Sequence, residues 1–129
     1  MEIVRILLVS FLFSLCFLCS AQKQQGKASF YSDKFKGRST ASGEKYDPMQ
    51  LTAAHKKLPF GTCVLVTNLV NDSCIVLRIN DRGPFVKGRI IDVSMAAAKK
   101  LGFYLNGITK VSVQIVDSVF TKTSQNSTQ

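Results

Sequence analysis

The feature that most constrains this chain is the shortness of its β-type runs, which are five to seven residues long and carry an alternating or β-branched pattern. Thr62-Cys-Val-Leu-Val-Thr67 and Ser73-Cys-Ile-Val-Leu-Arg-Ile79 are joined by a turn-like segment at 68–72 and read as a hairpin. Arg89-Ile-Ile-Asp-Val93 and Lys110-Val-Ser-Val-Gln-Ile-Val116 are two further strands, and Lys27-Ala-Ser-Phe-Tyr31 alternates more weakly. In the last strand Val111, Val113 and Ile115 alternate with polar partners, as one buried face requires. An Ala-Ala pair at 53–54 marks another short strand. One helix is expected over Met95 to Leu101, with Ser94 as its N-cap and Gly102 closing it in a left-handed conformation. Short strands that outnumber helices fit a small closed barrel, because closure removes the sheet edges.

The first 21 residues lie outside that pattern. A short head with one base, Arg5, precedes an apolar stretch from Ile6 to Leu18, and Cys19-Ser-Ala21 offers small residues before the polar Gln22. This is the layout of a secretory signal peptide, too short for a stable membrane span. The expected organisation is a signal at 1–21, a polar tether at 22–26, one domain at 27–117 and a disordered Ser/Thr/Gln/Asn tail at 118–129. Export to the periplasm or cell envelope as a soluble protein follows. Lipid anchoring through Cys16 or Cys19 is the alternative, although each cysteine follows a leucine where a lipoprotein signal wants a small residue.

Residues 1–21 contain one acid and one base, so their removal leaves the net charge of +9 unchanged. A basic domain outside the cytoplasm meets anionic polymers and lipid headgroups. No dense basic run with interleaved aromatics supports nucleic-acid binding. A single histidine, scattered acids and two cysteines in a hairpin give no zinc spacing, and no phosphate loop is present, so no cofactor is expected. Cys63 and Cys74 leave two possibilities. With the loop at 68–72, Val66 faces Cys74 and Leu77 faces Cys63, which separates the cysteines by ~10 Å, beyond bridging reach. A tighter turn at Asn68-Leu69 would bring them opposite each other for a disulfide.

The segments Gly26-Lys-Ala-Ser-Phe-Tyr31, Gly37-Arg-Ser-Thr-Ala-Ser-Gly-Glu-Lys-Tyr-Asp47, Leu51-Thr-Ala-Ala-His55, Leu58-Pro-Phe-Gly61 and Val66-Thr-Asn68 precede Arg78-Ile-Asn-Asp-Arg-Gly-Pro-Phe85, Gly88-Arg-Ile-Ile-Asp-Val-Ser94 and Ala96-Ala-Ala-Lys-Lys-Leu-Gly102. In this order they closely resemble the rare lipoprotein A (RlpA) family over roughly residues 26–116. The resemblance implies a mainly β fold, a six-stranded double-psi β-barrel with one short helix. It also implies a septal-ring lytic transglycosylase that cuts peptidoglycan glycan strands stripped of stem peptides, with division-site proteins as further partners of a monomer. Many family members carry an additional peptidoglycan-binding repeat domain, for which these 129 residues leave no room. A non-catalytic, expansin-like binding module is the alternative function on the same fold.

Glycoside cleavage needs a proton delivered to the leaving oxygen, usually by a carboxyl group in a partly apolar cleft. A lytic transglycosylase can work with one acid/base, because the C6 hydroxyl of muramic acid attacks in place of water. Between Lys27 and Val116 the acids are Asp33, Glu44, Asp47, Asp72, Asp81 and Asp92. Asp72 is explained by the hairpin turn, and Asp33 by a solvated loop. Asp81 ends a strand, where barrels display working residues, and an ion pair with Arg82 or Arg78 is its bland explanation. Asp92 interrupts the apolar run 90–93, where an acid must be paired, protonated or used. Either can be the acid/base, with both facing one cleft. The resemblance carries Glu44, Asp47, His55 and Asp81 over by matching motif, and Asp92 from related barrels. His55 would then sit in the cleft, hydrogen-bonded to a carboxylate. Tyr31 and Tyr46 could stack on sugar faces. Arg38, Arg82 and Arg89 could meet the lactyl carboxylate of muramic acid.

Overall fold

A computed structural model describes residues 3–5 and 23–116 of the chain. Most of the expected signal segment, Cys16, Cys19 and the tail from residue 117 lie outside the described residues.

Six strands form a closed barrel: β1 (Lys23–Phe30), β2 (Thr52–Ala54), β3 (Cys63–Asn68), β4 (Cys74–Asp81), β5 (Arg89–Val93) and β6 (Thr109–Ile115). Their order around the barrel is β1-β5-β2-β4-β3-β6. Two of the pairings are parallel, β1 with β5 and β2 with β4, and the others are antiparallel. Closure is complete within Lys23–Ile115, and the core of Val64, Val66, Leu77, Ile79, Ile91, Val93 and Val111 comes from within the same stretch. The barrel therefore has its own core and no open edge, the requirements for folding as a unit. Among the described residues no helix is long and apolar enough to cross a membrane.

β1 starts earlier than expected. Lys23 to Gly26 pair with Gln114 to Val111 of β6, so residues assigned to a tether close the barrel instead. Their polar residues hid this, because an outward-facing segment held by backbone pairing carries no apolar alternation. At the same end of the pairing, Ile115 does not continue the inward face of Val111 and Val113, and is largely exposed.

The hairpin register differs by one residue from that expected. Thr67 faces Cys74 and Cys63 faces Arg78, because Asn68 stays in β3 and Asp72, at φ +62°, turns the chain in the left-handed region. The cysteines are four residues apart along the ladder, ~13 Å, and both are free thiols. Asn68 is buried at 2% exposure and works as a staple. It donates to the Leu101 carbonyl (2.8 Å) and accepts from the Val70 amide (3.1 Å) and the Thr109 hydroxyl (2.8 Å).

Helix α1 (Met95–Lys100) is capped by Ser94 Oγ, which accepts from the Ala97 amide, and it buries Ala97 and Ala98 on the barrel. Gly102 follows at φ +77°, and a Cβ there would lie 2.6 Å from the Asn71 side-chain nitrogen. The left-handed backbone favours glycine there, and a Cβ would push the Asn71 side chain off the Leu101 carbonyl.

Candidate active site

The site begins with a break in strand phase. In β4 Leu77 and Ile79 point inward, and strict alternation would send Asp81 inward as well. Between Ala53 and Ala54 the β2–β4 register skips a residue, so Ala53 faces Ile79 and Ala54 faces Asp81. Asn80 is the extra residue of this bulge, and it is buried. On its other side Ala54 faces Asp92 of β5. Asp81 and Asp92 thus stand level across one strand, roughly 10 Å apart at the backbone.

Asp81 is held by three donors. Its Oδ2 accepts from the Tyr31 hydroxyl at 2.6 Å, and its Oδ1 accepts from the Ala41 and Arg82 amides at 2.8 Å each. Among the described residues it has no ion pair, so neither Arg78 nor Arg82 neutralises it. Tyr31 follows β1, and its ring packs on Tyr46 with centroids 4.5 Å apart. Burial first, then the hydrogen bond to Asp81 and the negative charges of Asp81 and Asp92, push the Tyr31 pKa strongly upward. The phenol therefore stays a proton-bearing donor.

Asp92 is engaged differently. Its Oδ1 accepts from Ser29 Oγ, its neighbour in the parallel β1–β5 pair, and its Oδ2 accepts from Arg89 at 3.0 Å. The acid inside the apolar run is thus paired, and Arg89 is occupied by it.

Glu44 lies in the loop that covers Asp81. That loop is pinned by Ser42 N donating to the Asn80 carbonyl and by Ala41 N on Asp81. The Glu44 carboxylate takes both Arg78 nitrogens, one at 2.9 Å, and a longer bond from Asn80 at 3.3 Å. Arg78 first and Asn80 second hold its pKa below the ordinary value. Glu44 is a standing anion, suited to holding a loop and unsuited to donating a proton.

His55 is 6% exposed and touches no carboxylate. Its Nδ1 accepts from the Lys57 and Leu58 amides, both at 3.1 Å, which places the proton on Nε2, 2.9 Å from the side-chain Oε1 of Gln24. Burial, then Arg82, Lys56 and Lys57, lower its pKa. The expected bond to a carboxylate is replaced by one to an amide, because the β1 extension brings Gln24 across the ring. His55 joins the Asp81 region through its backbone, its amide donating to the Asp81 carbonyl at 3.2 Å.

The remaining expected residues divide. Arg82 donates to the Leu58 carbonyl (2.8 Å) and lies 4.1 Å over the Phe60 ring, so it braces the 55–60 loop. Tyr46 is 4% exposed and its hydroxyl accepts from the Met95 amide; it supports Tyr31 and is closed to a sugar face. Asp47 is exposed and caps the Met49 amide in a local turn, with no hydrogen bond to Asp81, Asp92, Glu44 or His55. Arg38 is exposed, with its guanidinium 5.5 Å from the Phe35 ring centroid, and Phe35 in turn adjoins Tyr31.

Ser29, Gln24 and Asn80 were not anticipated. Ser29 and Gln24 act across 63 and 31 residues of sequence. The Asn80 Oδ1 is buried with no partner among the described residues. Its place in the Arg78-Ile-Asn-Asp segment was the one available signal.

A family model described as "lytic transglycolase" matches residues 23–113, the whole barrel but for the end of β6. The chain belongs to this RlpA-like family of double-psi β-barrels. An endolytic peptidoglycan transglycosylase RlpA from Pasteurella multocida is 54% identical over 97 residues, covering 75% of this chain and 33% of the relative. One from Pseudomonas aeruginosa is 50% identical over 99 residues, covering 77% and 29%. The chain thus spans a third or less of these relatives' length. Among solved structures, a Streptomyces papain inhibitor aligns with a TM-score of 0.60 and 27% identity over 74% of this chain and 94% of its own. An expansin from Clavibacter michiganensis aligns with a TM-score of 0.60 at 20% identity over 75% of this chain and 52% of its own, a likeness of fold.

Proposed function

We propose that this barrel is an endolytic peptidoglycan lytic transglycosylase acting outside the cytoplasm on glycan strands stripped of stem peptides. The observation that carries this reading is Asp81, a carboxylate at a strand end, fixed by three donors, free of an ion pair among the described residues and level with Asp92. The names of the similar RlpA proteins support the substrate and reaction class.

On this reading the Asp81 carboxylate takes up a proton before the reaction and gives it to the glycosidic oxygen as the bond from muramic acid C1 to that oxygen breaks. The carboxylate then takes the proton of the C6 hydroxyl as that oxygen bonds to C1. The products are a 1,6-anhydro-muramic acid end and a free hydroxyl on the departing sugar, with no water consumed. Tyr31 orients the Asp81 carboxyl group, and Asp92, held by Ser29 and paired with Arg89, stands level with it on the same face. Glu44 and His55 are positioning residues, the first holding the loop over Asp81 and the second holding the loop that Arg82 braces. Arg38, exposed beside the Tyr31–Phe35 aromatic pair, is the cation offered to the lactyl carboxylate.

The test is mass spectrometry of denuded glycan strands incubated with residues 22–129. Anhydro-ended fragments, lighter by one water than hydrolysis products, are the expected result. Reducing-end fragments would make the protein a hydrolase. Sedimentation with the wall but no fragments would make it a binding module.

A further inference from the structure

The hairpin loop at 69–72 and the loop at 102–108 meet at the end of the barrel remote from Asp81. They are tied together: Leu69 N donates to the Lys110 carbonyl (2.9 Å), and the Asn68 and Asn71 side chains both donate to the Leu101 carbonyl. On this braced base stand apolar tips that the fold leaves in water, Val70 at 75% exposure and Leu105 at 95%, with Leu69 and Ile108 also exposed. Beside them Lys27 and Lys110 face each other directly across the β1–β6 pair, and both line a shallow depression of about 310 Å³ together with Leu69. Like charges directly opposite in a ladder repel. Neither lysine has an ion pair among the described residues, and the two loops carry one carboxylate, Asp72.

We propose that this end of the barrel docks on an anionic lipid bilayer, with a headgroup phosphate between Lys27 and Lys110 and the Val70 and Leu105 tips in the apolar boundary. Rigid, convex apolar tips rimmed by lysines match the depth profile of a membrane surface, where acyl chains lie beneath anionic headgroups. A protein partner would more often call for a flat or concave patch with aromatic anchors. β4 runs from this end to Asp81, roughly 23 Å for its length. A docked barrel would therefore hold the Asp81 end away from the lipid.

The experiment is co-sedimentation of residues 22–129 with vesicles of phosphatidylglycerol and phosphatidylethanolamine, at an ionic strength of about 0.15 M. It reads no cutting, so its outcome is independent of the proposed activity. Wild-type protein should pellet with these vesicles and not with phosphatidylcholine alone. The double substitution V70E/L105E should weaken partitioning by ~10-fold or more, and K27E/K110E by a similar factor. K34E/K36E, which makes the same change of net charge elsewhere, should retain most of the binding. Circular dichroism confirms that each variant is folded. Equal losses for K34E/K36E and K27E/K110E would reduce the binding to bulk charge and overturn the proposal. So would undiminished binding by V70E/L105E, or no binding by the wild type. Self-association of the wild type without lipid, abolished by V70E/L105E, would assign the patch to a protein contact instead.

Discussion

Replacing Asp81 by Asn separates the chemistry of this carboxylate from its structural part. The amide is nearly isosteric. Its oxygen can still accept from the Ala41 and Arg82 amides, and its nitrogen can donate to a Tyr31 hydroxyl that rotates to receive it. What is lost is the charge assistance of three hydrogen bonds, each weakening by up to ~1 kcal/mol. Partial exposure of the site discounts this further, to a stability loss of about 1–2 kcal/mol. The catalytic loss should be larger. A positioned acid/base contributes ~10²- to 10⁴-fold, equivalent to about 3–5 kcal/mol on the barrier. The assay is the rate of release of anhydro-ended fragments, run beside urea denaturation and wall sedimentation on the same preparations. Asp81→Asn should fold, bind glycan and fail to cut. If it retains more than about a tenth of the wild-type rate while Asp92→Asn is inactive, the acid/base is Asp92 and the assignment argued here is wrong.

His55 should make stability depend on pH in a defined direction. Its folded pKa is held below 6.5 by burial, so between that lowered value and 6.5 the unfolded chain binds the extra proton. The His55 contribution is complete above 6.5 and declines as pH falls below it, so urea midpoints at about pH 7.5 and about pH 5.5 should differ less in His55→Gln than in wild type. Asn68→Ala should cost about 2–4 kcal/mol, because it strips partners from the buried Thr109 hydroxyl and the Val70 amide and leaves a small void. A loss under about 1 kcal/mol by urea denaturation would mean that water replaces the side chain. Thiol titration of folded residues 22–129 should count two free cysteines, with the exposed Cys74 reacting first; a count of zero would contradict the hairpin register.

Much of the barrel was legible because strand burial repeats every second residue. Val64 and Val66, Leu77 and Ile79, and Val111 and Val113 announce their inward faces. Ser94 and Gly102 likewise announce the ends of α1. The first half of β1 was not legible, since a polar Lys-Gln-Gln-Gly segment reveals its pairing only through β6, some ninety residues on. The same blind spot hid the partner of His55. Asp81, Asp92, Glu44 and Tyr31 were all named from motif and position, and the structure groups them in one region. Their partners depend on which strands lie side by side, and two parallel pairings are invisible to local pattern. Ser29 on Asp92 and Arg78 on Glu44 are consequences of topology.

The bulge at Asn80 explains why a carboxylate can occupy the last position of an otherwise core-facing strand. With the phase of Leu77 and Ile79 continued, Asp81 would enter the apolar core, where an unpaired charge is prohibitive. The extra residue resets the phase, so that Asp81 falls on the outer side together with Asn80. Asn80 lies on the outer side with Arg78, buried beneath the 40–44 loop, where it gives one hydrogen bond to Glu44 and leaves its Oδ1 without a partner among the described residues. Asp81 then emerges on the partly exposed face, opposite Ala54 and level with Asp92. On the proposed reading the site is thus made by backbone register: one inserted residue in β4 moves the acid out of the core, and the cost of doing so is left on the unpartnered Oδ1 of Asn80.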